Sequence, residues 1–310
     1  MDKFDNLELK VDKDFFSSYN FFMICTMCPR KCNVDRNVSV GFCGEKDKIR
    51  INKIMLHKFE EPIISGKDED KGSGAIFFVG CNLKCVFCQN GKISRNGVGI
   101  EFSSEELAEK FKELEKMGAL NINLVTPTHF YKQIIEAFKI YQPKIPVVWN
   151  SSGYETKEMV EEIAQFVDIF LVDLKYMDNE IALKYSKAKD YVEVVAETIK
   201  SMRKLKPNDI IENGLMKKGV IIRHLILPTH TADSIKVLDF IHDNLGENTI
   251  VSIMSQYTPF GDLFEHPEIN RKITPLEYKR VVNHALKLNM MNCFTQDLKS
   301  ANKMFTPDFD

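Results

Sequence analysis

From residue 74 onward the chain alternates short apolar runs with segments of helical periodicity. The first run, Ala75-Ile76-Phe77-Phe78-Val79, is continuously apolar, the pattern of a strand buried on both faces. The helix after it is well marked. Ser103 and Glu106 make a capping box, Leu107, Phe111, Leu114 and Met117 fall on one face, and Gly118 ends it. Residues 121–126 read as a second strand and 129–140 as its helix. A third strand over 146–151 precedes a helix opened by Thr156, with Met159, Ile163 and Phe166 inward. Residues 168–174 form a fourth strand, followed by helical segments to residue 204. A fifth strand spans 219–227 with a helix over 231–244, and a sixth spans 249–256. The last helix starts at Thr274-Pro275, where Glu277 completes another capping box.

Strict strand–helix alternation implies a parallel sheet with helices packed outside it. Six units are too few for the closed eight-stranded barrel but suit a barrel-like arc, with a flat doubly wound sheet as the alternative. In both architectures ligands gather at the carboxyl ends of the strands. Residues 1–70 carry few periodic segments and form an N-terminal extension, with the α/β unit over 71–310. The acidic stretch 67–71 reads as a solvated loop.

Composition narrows the function class. The 310 residues are 44% apolar and 28% charged, a globular profile, and the net charge of −2 gives no electrostatic footprint for nucleic acid. The N-terminal residues 1–16 are charged throughout and have no apolar core of a signal peptide. No uncharged apolar run approaches the ~20 residues that span a bilayer. The expectation is a cytoplasmic protein without membrane contact. In that compartment clustered cysteines read as metal ligands or redox groups rather than disulfides. Seven of the eight cysteines lie in the first 88 residues.

Cys81, Cys85 and Cys88 directly follow the first strand. Three thiolates in eight residues can wrap one cubane, each binding a different iron, and no nearby cysteine supplies a fourth ligand. The unique iron is then open to an exogenous ligand, the logic that separates catalytic from structural metal sites. The competing readings are a zinc site completed by a distant His, and a ferredoxin-like cluster closed by a distant cysteine such as Cys293. Upstream, Cys25, Cys28, Cys32 and Cys43 make a complete set of four, suited to a closed site holding zinc or a second iron–sulfur cluster. Arg30, Lys31 and Arg36 would offset part of the thiolate charge. Such a cluster could relay electrons or position substrate, whereas zinc would mainly stabilise a segment poor in apolar residues.

The C-x3-C-x2-C spacing, with the aromatic Phe87 before the last cysteine, resembles the signature of the radical SAM superfamily. Residues 167–186, 147–155 and 221–228 look like the strand-four, strand-three and strand-five regions of pyruvate formate-lyase-activating enzymes. The segments "CPRKC", "GFCG", "EEPIISG", "GCNLKCVFCQN", "NINLVTPTHF" and the terminal "PDFD" look like the branch of pyruvate formate-lyase-activating-like iron–sulfur proteins. The resemblance covers essentially residues 25–310. It implies a partial (β/α)6 TIM-like barrel with a cysteine-rich metal-binding extension. It also implies a [4Fe–4S] cluster on Cys81, Cys85 and Cys88 and reductive cleavage of S-adenosylmethionine (SAM) to a 5′-deoxyadenosyl radical that abstracts hydrogen. An anaerobic reductant such as flavodoxin or ferredoxin would serve as electron donor. A glycyl-radical enzyme or another protein or peptide would be the substrate partner.

Several family positions are altered. Where many relatives carry Gly-Gly-Glu against the SAM amino group, this chain has Thr126-Pro127-Thr128-His129. Thr126 or Thr128 is then the candidate to hold that group, and His129 is either a donor facing the mouth or the first residue of the next helix. Asn150 stands where the activating enzymes carry an aspartate near a cation, and Ser152 follows it. Asp173 and Lys175 match their Asp-Leu-Lys, as cofactor ligands or as a rim salt bridge. Arg223, inside a buried strand, must pair with a SAM carboxylate, which the resemblance favours, or with a neighbouring acid. His224 reads as a core or surface residue, His230 as a candidate to reach substrate, and Gln256-Tyr257 replace a Tyr-His pair. Cys293 reads as a packed thiol. The opposing function class is a non-catalytic iron–sulfur electron carrier or metal-stabilised scaffold, which requires a cysteine to close the second site.

Overall fold

The computed structural model describes residues 24–67, 69–261, 263–295 and 309. The charged N-terminal stretch and all but Phe309 of the terminal "PDFD" lie outside them. In chain order the elements are β1 (Ile49–His57), α1 (Pro62–Ser65), β2 (Ser73–Phe78), α2 (Gly91–Asn96), β3 (Ile100–Phe102), α3 (Ser104–Lys116) and β4 (Ile122–Val125). Then come α4 (Tyr131–Ile140), β5 (Val147–Ser151), α5 (Lys157–Ile163), β6 (Ile169–Asp173), α6 (Asn179–Ser186) and α7 (Tyr191–Leu205). The chain continues through β7 (Ile210–Glu212), β8 (Leu215–Leu225), α8 (Thr231–Leu245), β9 (Ile250–Met254), α9 (Pro275–Lys287) and β10 (Cys293–Thr295).

The sheet order is β10-β9-β8-β6-β5-β4-β2-β1-β3. All neighbours from β2 to β10 along this path pair in parallel, whereas β1 is antiparallel to both β2 and β3. The parallel strands follow one another in sequence order without reversal, which is the winding of a barrel and not of a doubly wound sheet. The six expected strands are β2, β4, β5, β6, β8 and β9, and β10 adds a short seventh. The architecture is a partial barrel.

The expected caps form. Ser103 Oγ accepts from Glu106 N at 3.2 Å while Ser103 N donates to Glu106 Oε2 at 2.7 Å, and Thr274 with Glu277 repeats the box on α9. Met117 departs from the expected inward face. It is the C-cap of α3, just before the left-handed Gly118 turns the chain, and is 53% exposed. Phe166 lies past the end of α5, yet it stacks on Phe138 at 5.6 Å.

Alternate strand residues face opposite sides. The outward set (Val147, Trp149, Phe170, Val172) packs in the large core under the helices. The inward set is divided by height. At the amino ends of the strands Ile63 and Ile64 of α1 pack against Val148, Ile169, Leu171, Ile221 and Ile250, so α1 plugs the bore. β1 and α1, which in sequence fall within the N-terminal extension, thus belong to the sheet and its bore. Above the plug the inward positions become polar. Ile64 is 1% exposed, and its replacement by alanine is expected to cost about 2–5 kcal/mol of stability, read by denaturant unfolding. A loss under about 1 kcal/mol would mean the plug is not held by packing.

Candidate active site

The three-cysteine loop is fixed by backbone geometry before its thiols are considered. Gly80, between β2 and Cys81, has φ of +83°, and a Cβ there would lie 2.8 Å from the Cys43 carbonyl. Only glycine permits that approach. Cys81 N donates to Cys43 O at 3.2 Å, and Val86 N donates to Tyr185 O at 2.9 Å. Asn82 Nδ2 donates to Tyr154 O at 2.6 Å. Phe87 is buried edge-on between Tyr257 (5.8 Å) and Tyr185 (6.4 Å), so the aromatic before the last cysteine anchors the loop in the core.

Cys81, Cys85 and Cys88 line one cavity of about 180 Å³ at the carboxyl ends of the parallel strands. Thr126, Asn150, Ser152, Asp173, Lys175 and Arg223 line the same cavity. Ser186 Oγ donates to Cys85 Sγ at 2.9 Å and is itself hydrogen-bonded to Tyr176 Oη at 2.8 Å. Burial pushes the Cys85 thiol up to about 12, with Lys175 opposing and Cys81 and Cys88 adding to the rise. Three thiols around one cavity, Cys85 buried and Cys81 and Cys88 half-buried, stand beside a lysine and form a donor set that a polynuclear cation would neutralise. The residues present therefore fit an iron–sulfur cluster with one side open to the cavity.

Beneath the thiols lies a charged layer. Arg223 donates to Asp173 Oδ1 through Nε at 2.8 Å, to Asn150 Oδ1 through one terminal nitrogen at 2.6 Å, and to Glu60 Oε2 through the other at 3.1 Å. Lys175 Nζ donates to Asp173 Oδ2 at 2.5 Å. Burial alone would raise the Asp173 carboxyl, but Arg223 and Lys175 outweigh it and hold it below the usual range. Of the two partners open to Arg223 in sequence, the structure supplies the neighbouring acids.

Thr128 and His129 are corrected. Neither lines the cavity. Thr128 Oγ1 donates to the buried Glu155 at 2.8 Å, and Trp149 Nε1 donates to the same oxygen. His129 Nε2 contacts Val79 O at 2.6 Å, and burial drives its pKa down to about 3, leaving a neutral ring that buttresses the end of β2. The helical turn Thr128–Phe130 carries both side chains away from the mouth. His224 is a core residue held between Leu174 O and Ser234 Oγ. His230 pairs with Tyr185 Oη at 2.8 Å and does not line the cavity. Gln256 and Tyr257 do line it. Cys293 begins β10 opposite Val251, at the amino-end side of the sheet, so it cannot close the three-cysteine group.

The sequence reading missed Glu60 and Glu61 as site residues. They follow Lys58-Phe59 and precede α1, and only insertion of that turn into the bore brings them under the cysteines. Two adjacent acids directly before Pro-Ile-Ile were the available signal.

The upstream cysteines share one small lobe. A hairpin joins Cys25 to Val34 and Asn33, Phe42 N donates to Cys32 Sγ at 3.2 Å, and the Cys32 and Cys43 sulfurs both lie within 3.6 Å of a Cβ built on Gly41. Burial pushes Cys28 up to about 12, and the charges of Cys43, Cys32 and Cys25 contribute. Among the described residues no three Cys, His, Asp or Glu side chains converge on a position for a single ion. Arg30 stacks on Phe42 at 3.9 Å and donates to Asn82 O (2.7 Å) and Ser186 O (3.1 Å), bolting this lobe to the cysteine loop. Arg36, buried, donates to His129 O at 2.6 Å. A larger cavity, about 760 Å³, lies at the other end of the sheet around Asp209, Thr249 and Asn292, far from this chemistry.

Comparison with known proteins agrees with the geometry. Residues 75–241, more than half of the chain, match the radical SAM superfamily. The chain belongs to that superfamily. Its members use a [4Fe–4S] cluster and S-adenosylmethionine. Over 294 residues it is 33% identical to the uncharacterized protein MJ0674 of Methanocaldococcus jannaschii, covering 92% of this chain and 79% of that protein. It is 24% identical over 216 residues to the pyruvate formate-lyase-activating enzyme of Clostridium pasteurianum, covering 65% and 82% of the two chains. Among solved structures, SuiB of Streptococcus suis bound to its precursor peptide SuiA superposes with a TM-score of 0.47 at 14% identity, covering 70% of this chain. The chain spans 46% of the SuiB length. The hydrogenase maturase HydG gives a TM-score of 0.49 at 12% identity, covering 69% of this chain and 48% of HydG. No helix among the described residues is long and apolar enough to cross a membrane.

The Asp173 carboxylate joins two half-buried cations. Asp173→Asn leaves Lys175 without its carboxylate while Arg223 keeps Glu60, and is expected to cost about 1–3 kcal/mol of unfolding free energy. A cost below about 1 kcal/mol in denaturant titration would mean the charged layer is solvated instead.

Proposed function

We propose that Cys81, Cys85 and Cys88 hold a [4Fe–4S] cluster whose open iron takes S-adenosylmethionine, making the chain a reductive radical SAM enzyme. The cofactor pair would supply reductive cleavage to a 5′-deoxyadenosyl radical for hydrogen abstraction. The observation that carries the reading is the single cavity shared by the three thiols and the Asp173–Lys175–Arg223 layer. In this reading Asp173 and Lys175 receive the charged methionine end of the cofactor, while Thr126, Asn150 and Ser152 offer hydrogen bonds around it. Arg223 fixes Asp173 in place. The core around Phe87 and Tyr257 keeps water from the reacting side.

The substrate class is drawn more widely than glycyl-radical activation. Likeness to an activating enzyme at 24% identity supports that option. The Thr126-Pro127-Thr128, Asn150 and Gln256-Tyr257 departures leave room for another peptide or a small molecule. A low-potential flavodoxin or ferredoxin in a reducing cytoplasm is the proposed electron donor. A closed iron–sulfur carrier is disfavoured, because Cys293, its candidate fourth ligand, lies at the opposite end of the strands.

After anaerobic reconstitution and dithionite reduction, the protein is expected to convert SAM to 5′-deoxyadenosine and methionine. Cys88→Ala is expected to lower that rate by at least a hundredfold. Iron bound at the three cysteines without any cleavage would sink the enzyme reading. For the upstream lobe, iron, zinc and sulfide analysis of wild type against Cys25→Ala/Cys28→Ala is expected to show loss of one metal centre. Sulfide lost with iron identifies a second cluster, zinc alone identifies a structural site, and unchanged metal content rejects both.

A further inference from the structure

A second cavity, about 330 Å³, lies in the bore beneath the cysteine chamber. The two share lining residues, among them Gln89, Asn90, Asn150, Arg223 and Gln256, so they are adjoining chambers of one bore. The volume falls within the range of small-molecule sites.

The lower chamber is built from opposed chemistry. Phe59, Phe77 and Phe294 give it aromatic walls, with the His57 ring edge-on to Phe59 at 5.6 Å and to Phe77 at 6.0 Å. Against these walls stand Glu60 and Glu61. Glu60 is fully engaged: Oε2 accepts from Arg223, and Oε1 accepts from Asn123 at 3.1 Å and Asn150 at 3.3 Å. Glu61 is 7% exposed, is hydrogen-bonded by Ser252, and keeps its Oε2 buried without a partner. Among the described residues three carboxyl groups, Glu60, Glu61 and Asp173, cluster with the cations Lys175 and Arg223, while Lys58 also lines the lower chamber. Lys175 and Arg223 both bond to Asp173, and Arg223 also bonds to Glu60. Glu61 makes no ion pair among the described residues, and its Oε2 has no hydrogen-bond partner. A carboxyl group with an unpartnered oxygen, in a chamber with aromatic walls, is the arrangement that receives an organic ammonium group, which donates hydrogen bonds to the acid and is attracted to the ring faces.

We propose that Glu61 binds the ammonium group of a small primary-amine substrate whose apolar body lies between Phe59, Phe77 and Phe294. This rests on the radical SAM reading above and narrows its substrate to an amine. With the ammonium on Glu61, the remainder of the molecule extends past Arg223 and Gln256 toward the chamber where hydrogen is abstracted.

The test uses the full chain, reconstituted anaerobically, with phenethylamine as probe and 2-phenylethanol and 3-phenylpropionate as its neutral and anionic counterparts. Binding is measured by calorimetry at neutral pH. The amine is expected to bind at least tenfold more tightly than either counterpart, Glu61→Gln is expected to abolish that preference, and Phe77→Leu is expected to weaken the amine while leaving the alcohol less affected. If Glu61→Gln does not fold, the wild-type comparison and Phe77→Leu still decide. Equal binding of amine and alcohol, or an unchanged preference in Glu61→Gln, overturns the proposal. So does displacement of the amine by SAM, which would make Glu61 part of the cofactor site. Amine binding is also measured on Cys88→Ala, so an absence of SAM cleavage removes the radical reading without deciding the amine site.

Discussion

Everything above the barrel plug depends on the guanidinium of Arg223. It sits inside a buried strand, where an uncompensated charge is costly, and its three donor directions are met by Asp173, Asn150 and Glu60. Those partners come from β6, from β5 and from the turn before α1. One side chain thereby sets the spacing of two strands, holds the plug turn in the bore and places Asp173 against Lys175. Removing any partner would leave charge stranded in a low-dielectric interior, which explains why a polar layer persists in a barrel whose other layers are apolar.

A second constraint is the contact between the two cysteine groups. The Cys43 carbonyl accepts from Cys81 N, and Gly80 has no side chain because that carbonyl occupies the space. Arg30 reaches from the upstream lobe to the Asn82 carbonyl within the cysteine loop and to the Ser186 carbonyl at the end of α6, while Arg36 grips the turn after β4. The lobe is therefore a brace for the loop whatever it binds. Disorder introduced at Cys25 to Cys43 would propagate to Cys81, which gives the four upstream cysteines a structural role beside any electronic one.

The altered family positions acquire physical content in this frame. Thr128, where a glutamate could be expected, turns into the core toward Glu155. Asn150, where an aspartate could be expected, accepts from Arg223 and donates to Glu60. An aspartate at 150 would add a fourth acid to a layer that already has three. In this chain the negative charge of the site includes the inserted turn that carries Glu60 and Glu61.

The alternation of apolar runs and amphipathic helices was enough to define six parallel strands, both capping boxes and the place of the cysteine loop after the first of them. These features are local: they depend on periodicity, on side chains three residues apart, and on three thiols within eight residues. Residues 49–70 were not legible in the same way. β1 has a mixed burial pattern because it lies toward the antiparallel edge of the sheet, and α1 is a single turn too short to show a period. The directions of Thr128 and His129 were set by a helical turn that spacing does not reveal. The choice of acids for Arg223 lay 163 residues upstream, at Glu60, as well as at nearby Asp173. The sequence by itself determined the donor set and the order of the barrel. Only the tertiary structure decided which charges meet in its bore, because that depends on an inserted turn whose partners are distant in the chain.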